Sequence, residues 1–209
     1  MKVWKQVDAN DAHYLEQGSV KLGTWEDYRR LENGRGDPYD GAIVVHSGAF
    51  HNHEPGAAHA LRRLGKSEAE VKWYAQPNVR GVMIHNRTIF ESPPRYVLCF
   101  SEVGCEYDPS PGKPKAMFEV ADVAALAARL VDLHPEQLGR FDFGSVVYRN
   151  VEFQAQGNEQ IEDPQPFVKG VKFAVEREVR IVWQPARRGR INTLCTRPDE
   201  QVAQLFSRL

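Results

Sequence analysis

One stretch near the C-terminus, Phe173-Ala174-Val175-Glu176-Arg177-Glu178-Val179-Arg180-Ile181-Val182-Trp183, constrains the fold more than any other. Read as a strand, its side chains alternate between two faces. Val175, Val179, Ile181 and Trp183 then share one face, with Arg177 its only charged member. Glu176, Glu178, Arg180 and Val182 share the other. The first face belongs against a core. The second is either a solvated sheet face with cross-strand ion pairs or the wall of a cleft. Two carboxylates about 6–7 Å apart repel, which raises one pKa and suits proton transfer or the holding of a sugar hydroxyl. Arg180 offsets that repulsion or binds a phosphate.

Other segments supply partners for this strand. Strand patterns cover Lys2–Val7, Ser19–Thr24, Ala42–His46 and Gly144–Phe153. Arg95–Ser101 is the clearest central strand, apolar on both faces. Val79–Ile84 and Thr88–Glu91 pair as a hairpin around His85-Asn86-Arg87, and Ile191–Thr196 pairs with the C-terminal strand across Gln184–Arg190. Helices are expected after Asn10 or Asp11 with a stop at Gly18, over Ala69–Tyr74 behind the capping box Ser67-Glu68-Ala69-Glu70, from Asp122 to Leu133, and from Pro198 onward. In the third of these Val123, Leu126, Ala127, Leu130 and Leu133 form one stripe. Strands dominate without regular βαβ alternation. The expected fold is α+β: a mostly antiparallel, bent or sandwich-like sheet with peripheral helices. A single domain over 1–209 is expected, with a histidine-containing insertion at 45–75.

Composition narrows the function. Across 209 residues, 27 Lys+Arg face 28 Asp+Glu, a net charge of −1. That balance argues against bulk electrostatic binding to nucleic acid or membrane, while leaving nucleic acid open as a partner. No apolar run approaches the roughly 18–20 residues of a membrane span, and the start Met1-Lys2-Val3-Trp4 has no signal-peptide core. The three cysteines (Cys99, Cys105, Cys195) are irregularly spaced, which fits a reducing cytoplasm better than a disulfide framework. His46, His51, His53 and His59, with Glu54, follow no standard zinc spacing, and Pro55-Gly56 breaks any helical pair; no metal is expected.

Further candidates lie upstream. Ser101 ends the central strand, with no Gly-x-Ser-x-Gly around it to make it a hydrolase nucleophile. Arg29 precedes the turn Gly36-Asp37-Pro38-Tyr39-Asp40-Gly41, in which Asp37 and Asp40 suit Asx-type turns or the rim of a pocket. Arg187-Arg188-Gly189-Arg190 is a basic turn, suited to solvent or to a phosphate.

In order, Tyr28-Arg29, the Asp37-Pro38-x-Asp40-Gly41 turn, Cys99-Phe100-Ser101, Val147-Tyr148 and Lys172-Phe173-(x)2-Glu176-Arg177-Glu178-Val179-Arg180 resemble an uncharacterised family of bacterial and phage domains. Its marks are a DP-x-E-G turn, a CFS strand end and a K-[FW]-x-x-E-x-E-x-R strand. Asp40 stands where that family has Glu. The Glu-x-Glu strand with an earlier Ser and an upstream Arg is also similar to the Arg–Ser–Glu pattern of ADP-ribosyltransferases. That resemblance implies NAD as co-substrate, Glu178 as catalytic carboxylate with Glu176 as its partner, Ser101 in the nicotinamide pocket and Arg29 as the arginine; Asp37 on the loop rim and Arg180 as a phosphate ligand complete the expected cofactor-binding set. The expectation is therefore a phage- or defence-associated transferase of this kind. The alternatives are a non-catalytic interaction module binding a protein partner and, third, a metal-dependent nuclease using the His46–His59 region.

Overall fold

A computed structural model describes residues 1–29, 40–51, 57–63, 66–76, 79, 83–105, 112–154 and 165–209. In chain order the strands are β1 (Val3–Asp8), β2 (Lys21–Thr24), β3 (Ala42–His51), β4 (Met83–Glu91), β5 (Tyr96–Glu102), β6 (Lys115–Val120), β7 (Leu138–Ser145), β8 (Val147–Arg149), β9 (Glu152–Gln154), β10 (Val168–Gly170), β11 (Glu178–Pro185), β12 (Leu194–Cys195) and β13 (Phe206–Arg208). The helices are α1 (Ala12–Glu16), α2 (Trp25–Arg29), α3 (Ala57–Arg63), α4 (Glu68–Tyr74), α5 (Val123–Leu133) and α6 (Glu200–Gln204), with 3-10 turns at Ala9–Asp11 and Val171–Glu176. The chain forms two compact units. The larger comprises Met1–Ala42, Glu91–Val151 and Pro164–Leu209, the smaller Ile43–Phe90 and Glu152–Asp163.

The larger unit is built on an eight-stranded sheet with β5 at its centre. One edge of β5 is taken by β11, antiparallel from Glu178 opposite Ser101 to Trp183 opposite Tyr96. The other edge is divided. β1 pairs Val3 and Trp4 with Glu102 and Ser101, and β2 pairs Gly23 and Thr24 with Val97 and Tyr96. From β1 the sheet runs on to β6 and β13, from β2 to β12, and from β11 to β7, every pairing antiparallel. A central strand with two neighbours on one edge forces them to splay, which bends the sheet. The fold is α+β with a mostly antiparallel bent sheet. Between the β1- and β2-paired ends, the Cys99 carbonyl accepts a hydrogen bond from Lys5 Nζ at 2.7 Å.

One sheet face carries the main core. Val179, Ile181 and Trp183 are fully buried there, with Leu98 and Phe100 of β5. α5 covers them with Val123, Leu126, Ala127 and Leu130, the stripe that its periodicity predicts. Its N-cap Asp122 accepts from the Ala125 amide at 3.0 Å, and Trp183 Nε1 donates to the Ala127 carbonyl at 3.3 Å, fixing helix to strand. The opposite face holds a small apolar cluster of Trp25, Val97 and Val182, and the polar site described below.

Several elements depart from the sequence reading. Residues 171–176 form a 3-10 turn, so β11 starts only at Glu178 and Val175 is 63% exposed instead of lying in the core. The segment after Arg190 pairs through Leu194 and Cys195 with β2, not with β11, whose second edge is taken by β7. Residues 83–91 are one continuous strand with no reversal at His85-Asn86-Arg87. The C-terminal helix ends at Gln204 and gives way to β13. In the smaller unit β3 lies between β4 and β9, parallel to β9 with Val44 opposite Glu152. The capping box at Ser67 and Glu70 is present as the sequence predicts.

Gly18 has φ of +74°, and a Cβ there would sit 1.9 Å from the Asp199 carbonyl oxygen and 2.7 Å from the Ala203 amide nitrogen. Gly18→Ala thus combines left-handed strain with a backbone clash against the start of α6. It should lower stability by about 2–4 kcal/mol, read as a reduced midpoint in urea unfolding.

Candidate functional site: a buried charge cluster and an adjoining cleft

Glu178 and Arg180 lie at the start of β11, on the face away from α5, and are 5% and 0% exposed. Burying such groups requires close partners. Arg180 Nε donates to Glu178 Oε1 at 2.6 Å, and its Nη2 donates to Asp40 Oδ2 at 2.9 Å. Nη1 donates to the Pro166 carbonyl at 3.0 Å and stands 2.8 Å from Asp40 Oδ1, an ion-pair contact without hydrogen-bond alignment. The Trp25 ring centroid is 5.4 Å from the guanidinium carbon. Lys169, brought in by β10, donates to Glu178 Oε2 at 2.9 Å and to Glu176 Oε2 at 2.6 Å. β10 pairs parallel with β8, setting Lys169 level with Tyr148, whose hydroxyl accepts from the Glu178 amide at 2.7 Å.

The turn before β11 makes this grouping possible. Arg177, with φ of +43°, is the only described non-glycine residue in the left-handed region. Its guanidinium forks onto Glu102 Oε2 at 3.0 and 2.8 Å, and its carbonyl accepts from the Glu102 amide at 2.9 Å. The thiol of Cys105 donates to the carbonyls of Val175 at 3.6 Å and Glu176 at 3.3 Å. The reversal carries Glu176 off the strand line and onto the same ammonium as Glu178.

Three carboxylates (Asp40, Glu176, Glu178) thus face two cations (Lys169, Arg180). Burial pushes all three carboxyls upward. For Glu178 the attraction of Arg180 and Lys169 outweighs burial and holds the carboxyl at about 2. For Asp40 and Glu176 burial prevails, and both end above the ordinary range. The surplus negative charge therefore falls on them. Burial raises the neighbouring Tyr148 hydroxyl to about 12 and pushes the Cys99 thiol well up. Burial lowers Lys5, against the opposing pull of Cys99 and Glu178.

The sequence candidates fall as follows. Glu176, Glu178 and Arg180 are in the cluster. Ser101 is opposite Glu178 in the ladder, on its face, with Cys99 opposite Arg180. Arg29 is outside, anchored to the cluster's edge by Nε on the Asp40 carbonyl at 2.9 Å and by Nη1 on Glu91 Oε1 at 2.6 Å. Asp37, His53 and Glu54 lie outside the described residues, while His59 is exposed on α3. Sequence reasoning missed Lys169 as a site residue and gave Asp40 a turn or pocket-rim role, not that of a buried partner of Arg180. A lone lysine among Phe167, Val168, Gly170 and Val171 was the available signal.

Beside α2 is an open cleft of ≈ 470 Å³ lined by Thr24, Trp25, Arg29, Arg95, Arg190 and Ile191, with Glu26 and Glu91 at its wall. Thr24 and Asp27 cap α2 reciprocally: the Thr24 amide donates to Asp27 Oδ2 at 2.7 Å and the Asp27 amide to Thr24 Oγ1 at 3.3 Å. Thr193 Oγ1 donates to the same carboxylate oxygen at 2.8 Å, tying the Arg190 segment to the helix. Among the described residues no carboxylate pairs with Arg95 or Arg190, no group of three His, Cys, Asp or Glu is placed to hold a metal, and no helix is long and apolar enough to cross a membrane.

Comparison with protein-family models, curated proteins and solved structures finds no match.

The two glutamates should separate on mutation. Glu178→Gln leaves Lys169 and Arg180 short of a buried counter-charge and should cost about 3–5 kcal/mol at pH 7. Glu176→Gln removes a carboxyl whose burial already offsets its attraction to Lys169, and Lys169 keeps Glu178, so the loss of stability should be clearly smaller than for Glu178→Gln. Because the folded-state pKa of Glu178 is depressed, its contribution is complete above the unfolded value and lost as pH falls through about 2. The gap between wild type and Glu178→Gln in denaturant midpoints should therefore shrink from pH 5 downward.

Proposed function

We propose that the protein binds a nucleotide-class anion in the cleft beside α2, with Arg95 and Arg190 taking its phosphates. The observation that carries this reading is the contrast among the three cleft arginines. Arg29 is spent on Glu91 and on the Asp40 carbonyl, whereas among the described residues Arg95 reaches only its neighbour's carbonyl, Pro94, at 3.4 Å, and Arg190 has no carboxylate partner. Two guanidiniums lining one cleft with no carboxylate partner among the described residues suit bidentate capture of phosphate. A volume of ≈ 470 Å³ suits a small ligand. Ile191 and the edge of Trp25 supply apolar wall for a base or ribose.

Calorimetric titration with NAD, ADP-ribose, ADP and inorganic phosphate tests the proposal. Binding of a nucleotide should weaken about 10–100-fold in Arg95→Ala and in Arg190→Ala, since each substitution removes a charge-assisted contact. No binding by any member of the panel at millimolar concentration, with folded protein, overturns it.

A second reading, transfer of ADP-ribose from NAD, draws on one observation: Ser101 and Glu178 are opposed in the ladder on one face, with Glu178 held ionised. In that reading Glu178 stabilises the cationic ribose formed as the nicotinamide bond breaks. Against it, both carboxylate oxygens already accept from Arg180 and Lys169, so the negative charge of Glu178 is largely committed. Wild-type protein incubated with labelled NAD and cell lysate should release nicotinamide if it holds. NAD that binds and is returned intact ends the transferase reading and leaves the binding reading standing.

A further inference from the structure

We infer that the cleft beside α2 selects ribonucleotides, the ribose cis-diol donating to the Glu91 carboxylate; this rests on the anion-binding reading of the cleft and names its ligand class. Phosphate capture accounts for Arg95 and Arg190 but leaves Glu91 unexplained. A carboxylate at the wall of the same cleft accepts hydrogen bonds and donates none, so it gains nothing from a bare phosphate. A cleft carrying both signs suits a ligand that is anionic at one end and has O–H donors further along. Ribonucleotides have that make-up, and their 2′- and 3′-hydroxyls are a donor pair that one carboxylate can take together.

Glu91 is held for this task. Its Oε1 accepts from Arg29 Nη1 at 2.6 Å, while Oε2 has no hydrogen bond among the described residues. The ion pair does not draw the carboxylate out of reach, because the Arg29 side chain is 18% exposed and that of Glu91 60%. Arg29 is itself tied to backbone, by Nε on the Asp40 carbonyl at 2.9 Å and Nη2 on the Gly41 carbonyl at 3.4 Å. The Ser92 amide donates to the same Gly41 carbonyl at 2.8 Å, which fixes the chain next to Glu91 to the turn that holds Arg29. One carboxylate oxygen is thus secured and the other open, so little side-chain freedom is lost when a ligand arrives. The Arg29 charge also offsets that of Glu91, which lets phosphate and carboxylate share one cleft.

Calorimetric titration of the full chain with ADP and 2′-deoxy-ADP, which differ by one hydroxyl, tests the inference. Wild type should bind ADP about tenfold more tightly, the effect of one hydrogen bond to a charged acceptor. Glu91→Gln should bring the two ligands to within about threefold, by weakening ADP more than 2′-deoxy-ADP, because a neutral acceptor bonds a hydroxyl less strongly than a carboxylate does. Equal binding of both by wild type overturns the ribose inference and leaves the anion reading standing, as does a preference that Glu91→Gln keeps in full. Failure of ADP, 2′-deoxy-ADP and inorganic phosphate alike to bind folded protein overturns both. Should Glu91→Gln fail to fold, 3′-deoxy-ADP on wild type decides: it must lose affinity as 2′-deoxy-ADP does, and full affinity refutes the shared diol.

Discussion

The fork of Arg180 onto Glu178 and Asp40 is the interaction on which the larger unit depends. A guanidinium with no solvent exposure persists only if its donors are met, and here a carboxylate on its own strand, a carboxylate from before β3 and the Pro166 carbonyl meet them. The consequence is positional. The start of β3, the lead-in to β10 and the start of β11 are all held to one point by hydrogen bonds with strict geometry. An apolar cluster of the same volume would hold them less specifically, although replacing buried ion pairs with apolar groups often leaves stability intact.

The divided edge of β5 explains why a third cation, Lys5, is drawn inward. Where β1 and β2 part, the Cys99 carbonyl has no strand to bond, and Lys5 reaches it from β1. A buried carbonyl demands a donor, and a lysine is long enough to supply one across a gap where backbone cannot reach. The bend of the sheet and the burial of Lys5 are thus two sides of one constraint.

The alternation from Glu178 to Trp183 was legible in the sequence because a period of two with apolar Val179, Ile181 and Trp183 admits few other readings. So were α5, through its stripe and its Asp122 cap, and the apolar strand β5. The 3-10 turn was hidden because Val175, Glu176 and Arg177 continue that alternation in composition. What breaks it is the tertiary hold of Glu102 and Cys105, which no local pattern encodes. The same holds for β12, which at two residues has too little pattern to choose between β2 and β11. Of the site, the Glu178–Arg180 pair was readable and Lys169 was not, since its role follows only once β10 lies beside β8. The cleft was glimpsed through Arg29 and the basic turn, but the anchoring of Arg29 to backbone and to Glu91, which shifts attention to Arg95 and Arg190, is a matter of three-dimensional neighbours.

The three free thiols occupy three settings: Cys195 exposed on β12, Cys105 buried against the 3-10 turn, and Cys99 half-buried beside the charge cluster with its proton held firmly. The chain thereby carries its own set of clocks for opening motions. An alkylating reagent meets Cys195 at once and Cys105 when the Val171–Glu176 turn lifts, while Cys99 reacts slowly because its raised thiol yields little thiolate. The rate at which Cys105 acquires mass, set against that of Cys195, would report in one unmodified sample the loosening of the turn that positions Glu176.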